Sequence, residues 1–206
     1  MVVCAAGNSN KNIDVEKVYP ACLDCENIIS VGAMTIDNKK WFEEDYVSGD
    51  YISWGSNYGN QYVDLFAPGK NILSITFDKT NHVSDYTVMS GTSFACPYVT
   101  GVAALVMSMY PDMSTTEIKY TVLLNVTKHT AFNELSLYDG YLNAYTSLSN
   151  PHYHNYQYEY YDSNKHYCYC TACNYGFYEL HEWTALTRIP IFGSKRCLKC
   201  YAQQII

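Results

Sequence analysis

The chain has 206 residues, of which 48% are hydrophobic, and a formal net charge of −7 at pH 7. Its length allows one domain with a sizeable core plus a small appendage, and its hydrophobic content is that of a globular chain. The acidic balance argues against a nucleic-acid partner, because phosphate binding needs clustered Lys and Arg. We also expect no transmembrane segment, since no apolar run approaches the roughly 18 residues that cross a bilayer.

Short β-rich runs alternate with helical stretches along the first part of the chain. A helix is predicted to begin near Ser93, and Ser114 with Glu117 forms the capping box of a second helix that continues to about Val126. This alternation predicts an α/β fold with a mostly parallel sheet, which binds ligands outside the carboxyl ends of its strands. The predicted strands are residues 2–6, 28–34, 62–66, 72–75 and 86–89.

The composition changes beyond Asn150-Pro151, where His, Tyr, Asn and Cys become frequent. Such a shift beside a proline indicates a domain boundary. We therefore divide the chain into a domain over residues 1–148 and a Tyr/Cys-rich tail over residues 149–206.

Residues 90–97 read SGTSFACP and precede a long apolar stretch. Proline is tolerated in the first turn of a helix, so Pro97 predicts that Ser93 lies at a helix N-terminus. The free N–H groups and the positive end of the helix dipole stabilise negative charge there, which suits a nucleophile. Serine is also a common N-cap, so this segment alone does not separate a catalytic from a structural role.

Residues 91–105, GTSFACPYVTGVAAL, resemble the nucleophile block G-T-S-x-A-x-P-H-V-x-G-x-A-A-L of the subtilisin-like serine proteases (peptidase S8). Other segments resemble those of the same family in the same order, and several ordered matches are far more specific than any one of them. The resemblance implies a doubly wound subtilisin-like sheet over residues 1–148. The matching segments are residues 2–8 (VVCAAGN), 19–21 (YPA), 27–33 (NIISVGA), 62–69 (YVDLFAPG) and 140–144 (GYLNA).

The resemblance implies a serine endopeptidase that acts on peptide or protein substrates through an acyl-enzyme. Ser93 would be the nucleophile, and Asn8 would donate to the oxyanion. Ala5, Ala6 and Gly7 would line one wall of the primary specificity pocket. Taken alone, Gly7-Asn8 is also a common turn dipeptide. We assign no cofactor with certainty, although the resemblance allows for bound calcium.

The acid and base of the triad are not found in this sequence. In the family the Asp and His precede the oxyanion asparagine, and none of the six histidines here has the family's setting. We interpret His82 as a surface-loop residue and Asp64 as a structural strand residue. The chain is therefore expected to be the C-terminal part of a catalytic domain, inactive alone. The alternative is an inactive homologue that acts as a protein-interaction module.

Two positions in this block bear on the family assignment. Tyr98 stands where the family has a histidine that is not the catalytic base, which is a modest departure. Ala95 replaces the second glycine of the G-x-S-x-G motif, so the sequence does not fit an α/β-hydrolase.

The nine cysteines fall into different settings. Cys4 and Cys96 are interpreted as small core residues. The tail contains two C-x-x-C pairs, which could bind zinc. Residues 170–178, CTACNYGFY, resemble the unit of the furin-like cysteine-rich repeats, which are disulfide-bonded and extracellular. We therefore favour disulfides and an extracellular or secretory location, assign no metal ligand, and keep zinc as the alternative. The disulfide candidates are Cys168, Cys170, Cys173, Cys197 and Cys200.

Overall fold

The structure is a computed structural model that describes residues 1–185, 194–200 and 203–205. The chain forms two compact units, Met1–His152 and Tyr153–Ile206. The boundary proposed from composition, after residue 148, lies a few residues before the division between these units.

The first unit contains nine strands and three α-helices, and all of its residues are described. The strands are β1 (Val2–Ala5), β2 (Ile28–Met34), β3 (Phe42–Val47), β4 (Asp50–Gly55), β5 (Leu65–Pro68), β6 (Ile72–Asp78), β7 (Val83–Met89), β8 (Thr127–Lys128) and β9 (Gly140–Tyr141). The helices are α1 (Thr92–Met109), α2 (Thr115–Leu124) and α3 (Ala144–Ser149), with a 3₁₀ turn at Thr130–Phe132.

The central sheet of the first unit has the strand order β1-β2-β5-β9-β8. Its first four strands are parallel to one another, and β8 is antiparallel to β9. All seven residues of β2 are buried, as expected for an inner strand of a parallel sheet whose two faces are both covered. The predicted α/β fold with a mostly parallel sheet is thus confirmed.

Helix α1 packs against β1, β2 and β5. Val99, Val102 and Val106 lie on its buried face, where the i, i+3 and i+7 spacing aligns them. They share a core with Ile29 and Leu65 of the sheet. This packing fixes where α1 begins relative to the ends of the strands.

Helix α1 corrects the expectation that no segment is long and apolar enough to cross a membrane. It has 18 residues and a mean hydropathy of 1.4, which meet that criterion by length and composition alone. A core helix of a folded domain can meet the same criterion of length and composition, and the buried face of α1 packs on the sheet.

Two antiparallel hairpins accompany the central sheet. The strands predicted at 72–75 and 86–89 are longer in the structure, and they pair as the hairpin β6–β7. The sequence analysis did not predict the hairpin β3–β4, whose tip is Ser48-Gly49, both with positive φ. The sequence pattern identified β6 and β7 but not their antiparallel partnership.

The described part of the second unit contains two antiparallel sheets. The first is β10 (Tyr156–Tyr160), β11 (Lys165–Cys170) and β12 (Gly176–Leu180), with β11 in the centre. The second is β13 (Trp183–Ala185), β14 (Ser194–Cys197) and β15 (Gln203–Ile205), with β14 in the centre.

Shortening Ile29 provides a test of this core. Its side chain is fully buried in β2, so Ile29→Ala should lower the free energy of unfolding by about 2–5 kcal/mol, through lost burial and the cavity left behind. Ile36→Ala is the matched control, because Ile36 is fully exposed, and it should change stability by less than about 0.5 kcal/mol. Urea unfolding of both variants measures the difference, and equal effects would contradict the packing.

Candidate active site

Ser93 lies at the start of α1, as the sequence predicts. Gly91 is the N-cap and Thr92 the first helical residue, so Ser93 occupies the second position and is not the cap. Its side chain is exposed. Pro97, expected in the first turn, instead lies farther inside the helix because the helix begins at Thr92. Proline has no N–H, so it cannot donate the usual i→i−4 bond to the Ser93 carbonyl.

Asn8 follows the carboxyl end of β1, and its side chain forms hydrogen bonds with the first residue of α1. The Thr92 N–H and the Thr92 hydroxyl both donate to Asn8 Oδ1, each at 2.9 Å. The Gly7 N–H in turn donates to Thr92 Oγ1 at 3.1 Å. These three hydrogen bonds join the ends of β1 and α1, so the nucleophile candidate and the oxyanion candidate belong to one site.

The Asn8 amide is oriented by these bonds. Since Oδ1 accepts twice from Thr92, the orientation of the amide is fixed and Nδ2 lies on its other side. Within the described residues, no acceptor forms a hydrogen bond with Nδ2. Gly91 has φ 154°, and a Cβ there would lie 3.2 Å from Asn8 Nδ2. A side chain at position 91 would therefore crowd the donor as well as strain the backbone.

Asn57, which the sequence analysis did not identify, holds the loop around Asn8 through hydrogen bonds to its backbone. This buried side chain donates to the Ala6 carbonyl at 2.8 Å and accepts from the N–H groups of Ser9 and Lys11 at 3.0 and 2.9 Å. Its backbone N–H also donates to the Gly7 carbonyl at 2.8 Å. A single asparagine between aromatic and small residues carries no sequence signal for this role.

The segment predicted to line the specificity pocket is only partly accessible. Ala6 is fully buried in the core, whereas Ala5 and Gly7 are half-buried. Gly7 has φ 100°, and a Cβ there would lie 2.5 Å from Asn57 Nδ2, so glycine is required at this turn.

No histidine of the described chain forms a hydrogen bond with Ser93. His82 lies exposed between β6 and β7, in agreement with its interpretation as a loop residue. His129 caps the 3₁₀ turn and accepts from the Ala131 N–H at 3.2 Å. Asp64, which directly precedes β5, accepts from the N–H of Ser30 in β2 at 2.8 Å, and this bond fits a structural role.

The Asp64 carboxyl provides a pH-dependent test of that structural role. Burial raises its pKa, and the nearby charge of Lys119 and the Ser30 N–H offset this only in part. The folded state then holds the proton to higher pH than the unfolded state, so Asp64 costs stability as pH rises above the ordinary carboxyl range.

Asp64→Asn retains an acceptor for Ser30 and removes the charge. We expect the variant to gain urea resistance relative to the parent chain as pH rises from 4 to 7. Asp50→Asn, in the exposed β3–β4 hairpin, serves as the control and should show no such trend. A stability difference that is constant with pH would contradict the assignment.

None of the nine cysteines, all of which lie in the described part of the chain, forms a disulfide bond in the structure. Cys4 is buried, and Cys96 is half-buried against the main core, in line with their interpretation as core residues. Burial raises the pKa of the Cys96 thiol to about 11, which keeps it protonated and unreactive. This includes the five disulfide candidates of the tail, whose disulfide bonding stays a prediction.

A model of the subtilase family matches residues 1–166. The chain belongs to the subtilase family. The match covers the whole of the first unit, including Asn8 and Ser93. It ends within the second unit, and the resemblance of residues 170–178 to a furin-like repeat stays a prediction.

Individual subtilases agree with this family assignment. The chain is 33% identical over 159 residues to serine protease AprX of Bacillus subtilis, which covers 72% of this chain and 35% of AprX. It is 42% identical over 110 residues to the extracellular basic protease of Dichelobacter nodosus, covering 52% of this chain and 15% of that protease. Among solved structures, the A-subunit of the AB5 toxin from E. coli superposes with a TM-score of 0.53 and 27% identity, covering 70% of this chain and 48% of the subunit. The chain thus spans at most about half the length of these relatives.

Proposed function

We propose that this chain contributes the nucleophile and the oxyanion donor of a subtilase serine endopeptidase. The observation that carries the proposal is the pair of hydrogen bonds from Thr92 to Asn8 Oδ1. They hold the Asn8 amide beside the start of α1, where Ser93 is exposed. A binding module would have no need for an amide donor fixed next to an exposed serine.

In this proposal Ser93 Oγ attacks the scissile carbonyl, and a general base takes the hydroxyl proton. As the carbonyl oxygen becomes negative, Asn8 Nδ2 and the Ser93 N–H donate to it. The first N–H groups of a helix have no intrahelical acceptor, and the helix dipole favours negative charge there. An amide also donates without titrating, so it serves at every working pH.

The general base is proposed to come from outside the described residues. The family order places the acid and base ahead of the Asn8 segment, and the described histidines form no hydrogen bond with Ser93. Without a base the Ser93 hydroxyl stays a weak nucleophile. Peptide or protein substrates follow from the family, while the preferred side chain at the cleavage site depends on the rest of the pocket.

Calcium, which subtilases commonly bind, needs several oxygen donors. Among the described residues, the clusters of three or more ionisable ligand groups contain His and Cys, which do not fit calcium. Secretion is proposed only from relatives such as the extracellular basic protease of D. nodosus.

The 206-residue chain should react slowly with a fluorophosphonate, because the reagent needs an activated serine. We expect labelling of the chain to be as slow as that of the Ser93→Ala variant, measured by intact mass over time. The control is an active subtilase of known sequence under the same conditions. Rapid labelling of Ser93 that is lost in His82→Ala would show that a local histidine acts as base.

In a form of the protein that also carries the family's Asp and His segments, three variants should affect peptide hydrolysis in different ways. Ser93→Ala should abolish peptide hydrolysis apart from a residual rate, since the triad acts as a unit. Asn8→Ala should lower kcat by about 10²–10³ with little change in KM, a magnitude taken from a subtilisin itself. Thr92→Val should lower kcat by less, because the Thr92 N–H still donates to Asn8.

Tyr98→His, on the exposed side of α1, is the control and should leave hydrolysis of a chromogenic peptide unchanged. Wild-type kcat in Asn8→Ala would contradict the oxyanion assignment. Full hydrolysis in Ser93→Ala would contradict the proposed function as a whole.

A further inference from the structure

The second unit brings together two histidines and two cysteines from three separate segments of the chain. His166 lies in β11, His181 follows β12, and Cys197 ends β14, three positions before Cys200. His166, His181 and Cys197 are buried and Cys200 is half-buried. The ligand atoms of all four lie within 4.8 Å of one another.

The distances within this cluster are those between neighbouring ligands of a tetrahedral zinc ion. His166 Nδ1 lies 3.3 Å from His181 Nδ1. Cys197 Sγ lies 3.6 Å from His166 Nδ1, and Cys200 Sγ lies 3.4 Å from His181 Nδ1. Zn–N bonds of about 2.0–2.1 Å and Zn–S bonds of about 2.3 Å place two nitrogens about 3.3 Å apart, and a nitrogen and a sulfur about 3.6 Å apart.

The outer nitrogens of both rings are held so that their Nδ1 atoms face inward. His181 Nε2 lies 2.8 Å from the carbonyl oxygen of Asp162. A carbonyl only accepts, so Nε2 carries the proton and the lone pair of the neutral ring is on Nδ1. His166 Nε2 lies 3.2 Å from Glu179 Oε2, which favours the same tautomer. Metal-binding histidines are oriented by partners of this kind.

We propose that His166, His181, Cys197 and Cys200 form a structural zinc site in the second unit. Two thiolates and two imidazoles are the donors that zinc takes in closed tetrahedral sites, and they exclude calcium and magnesium, which take oxygen ligands. Four protein ligands leave no open position for water, so the ion stabilises the fold and does not catalyse. Zinc would fasten β11 to the segment that ends β14, which is valuable in a unit too small for a large core.

A rival metal site would use the other ring nitrogen of His166, Nε2. Cys168 Sγ lies 3.5 Å from Glu179 Oε2, and with His166 Nε2 they form a three-ligand group. However, both Glu179 oxygens already accept from Lys199 Nζ, at 2.8 and 2.9 Å. This group also offers one ligand fewer than the proposed site, which is why we assign zinc to the latter.

Metal content of the whole chain tests the proposal. After expression in zinc-supplemented medium and purification without chelator, Cys200→Ala should contain one equivalent of zinc less than the parent chain, measured by mass spectrometry of the metal. A difference is needed because the described residues contain another His/Cys cluster, in which His154 Nδ1 lies 3.4 Å from Cys173 Sγ and which could bind metal of its own. The matched control Cys25→Ala, at an exposed free cysteine, should lose none.

Cobalt substitution then identifies the ligands, and it distinguishes the loss of one ligand from the unfolding of a variant. We expect Co²⁺ to give an intense tetrahedral spectrum with thiolate charge transfer. Cys200→His retains four ligands, so it should keep the metal content of the parent chain but lose part of the charge-transfer band. Cys168→Ser should leave the Co²⁺ spectrum unchanged. A charge-transfer band that disappears in Cys168→Ser but persists in Cys200→Ala would favour the rival group.

The positioning role of Glu179 has its own readout. Glu179→Gln should weaken zinc binding by about 10–100-fold in competition with a chelator, as for other residues that orient a ligating histidine. Glu159→Gln, at an exposed carboxylate of the same sheet, is the control and should have no effect.

Two results would overturn the proposal. The first is equal zinc content in Cys200→Ala and the parent chain. The second is a Cys197–Cys200 disulfide, seen as resistance to alkylation before reduction, in a chain that also fails to bind Co²⁺ after reduction.

Discussion

The hydrogen bonds between Thr92 and Asn8 are the constraint on which the rest of the candidate site depends. They connect the end of an outer strand of the sheet to the first turn of α1, two elements that are far apart in the sequence. Because both bonds end on Oδ1, they also decide which half of the Asn8 amide remains a donor. The same interaction therefore joins the strand end to the helix start and orients the Asn8 amide. A Cβ at position 91 would lie 3.2 Å from Asn8 Nδ2, so Gly91 leaves room for this amide.

Holding Asn8 in place needs rigidity on both sides of the loop. On one side α1 is fixed by its valine face on the sheet, so the helix start cannot drift away from the strand ends. On the other side Asn57 satisfies three backbone groups of the loop with one buried amide. A buried amide that loses such partners leaves unpaired polar groups, which is costly. The loop is thus stable because its polar groups have fixed partners, although Asn8 itself is exposed.

Much of the first unit could be predicted from the sequence, for identifiable reasons. The β-rich run at residues 28–34 and the capping box at Ser114 are local signals, and both describe the structure correctly. Asn57 could not be found, because its importance lies in contacts with a loop about fifty positions earlier in the chain. Pro97 was placed in the first turn because a proline pattern does not fix the residue at which the helix begins. The antiparallel pairing of β6 with β7 likewise depends on long-range geometry.

The tail also shows what a sequence pattern cannot decide. A C-x-x-C pair is compatible with a disulfide or with zinc, and the spacing of Cys197 and Cys200 does not separate the two. The histidines make the difference, since a disulfide uses only the sulfurs and leaves two buried imidazoles with inward lone pairs 3.3 Å apart. Two such lone pairs repel unless a proton or a cation lies between them. The partners on the outer nitrogens maintain this arrangement, so the folded chain stabilises a geometry that is favourable only around a positive charge.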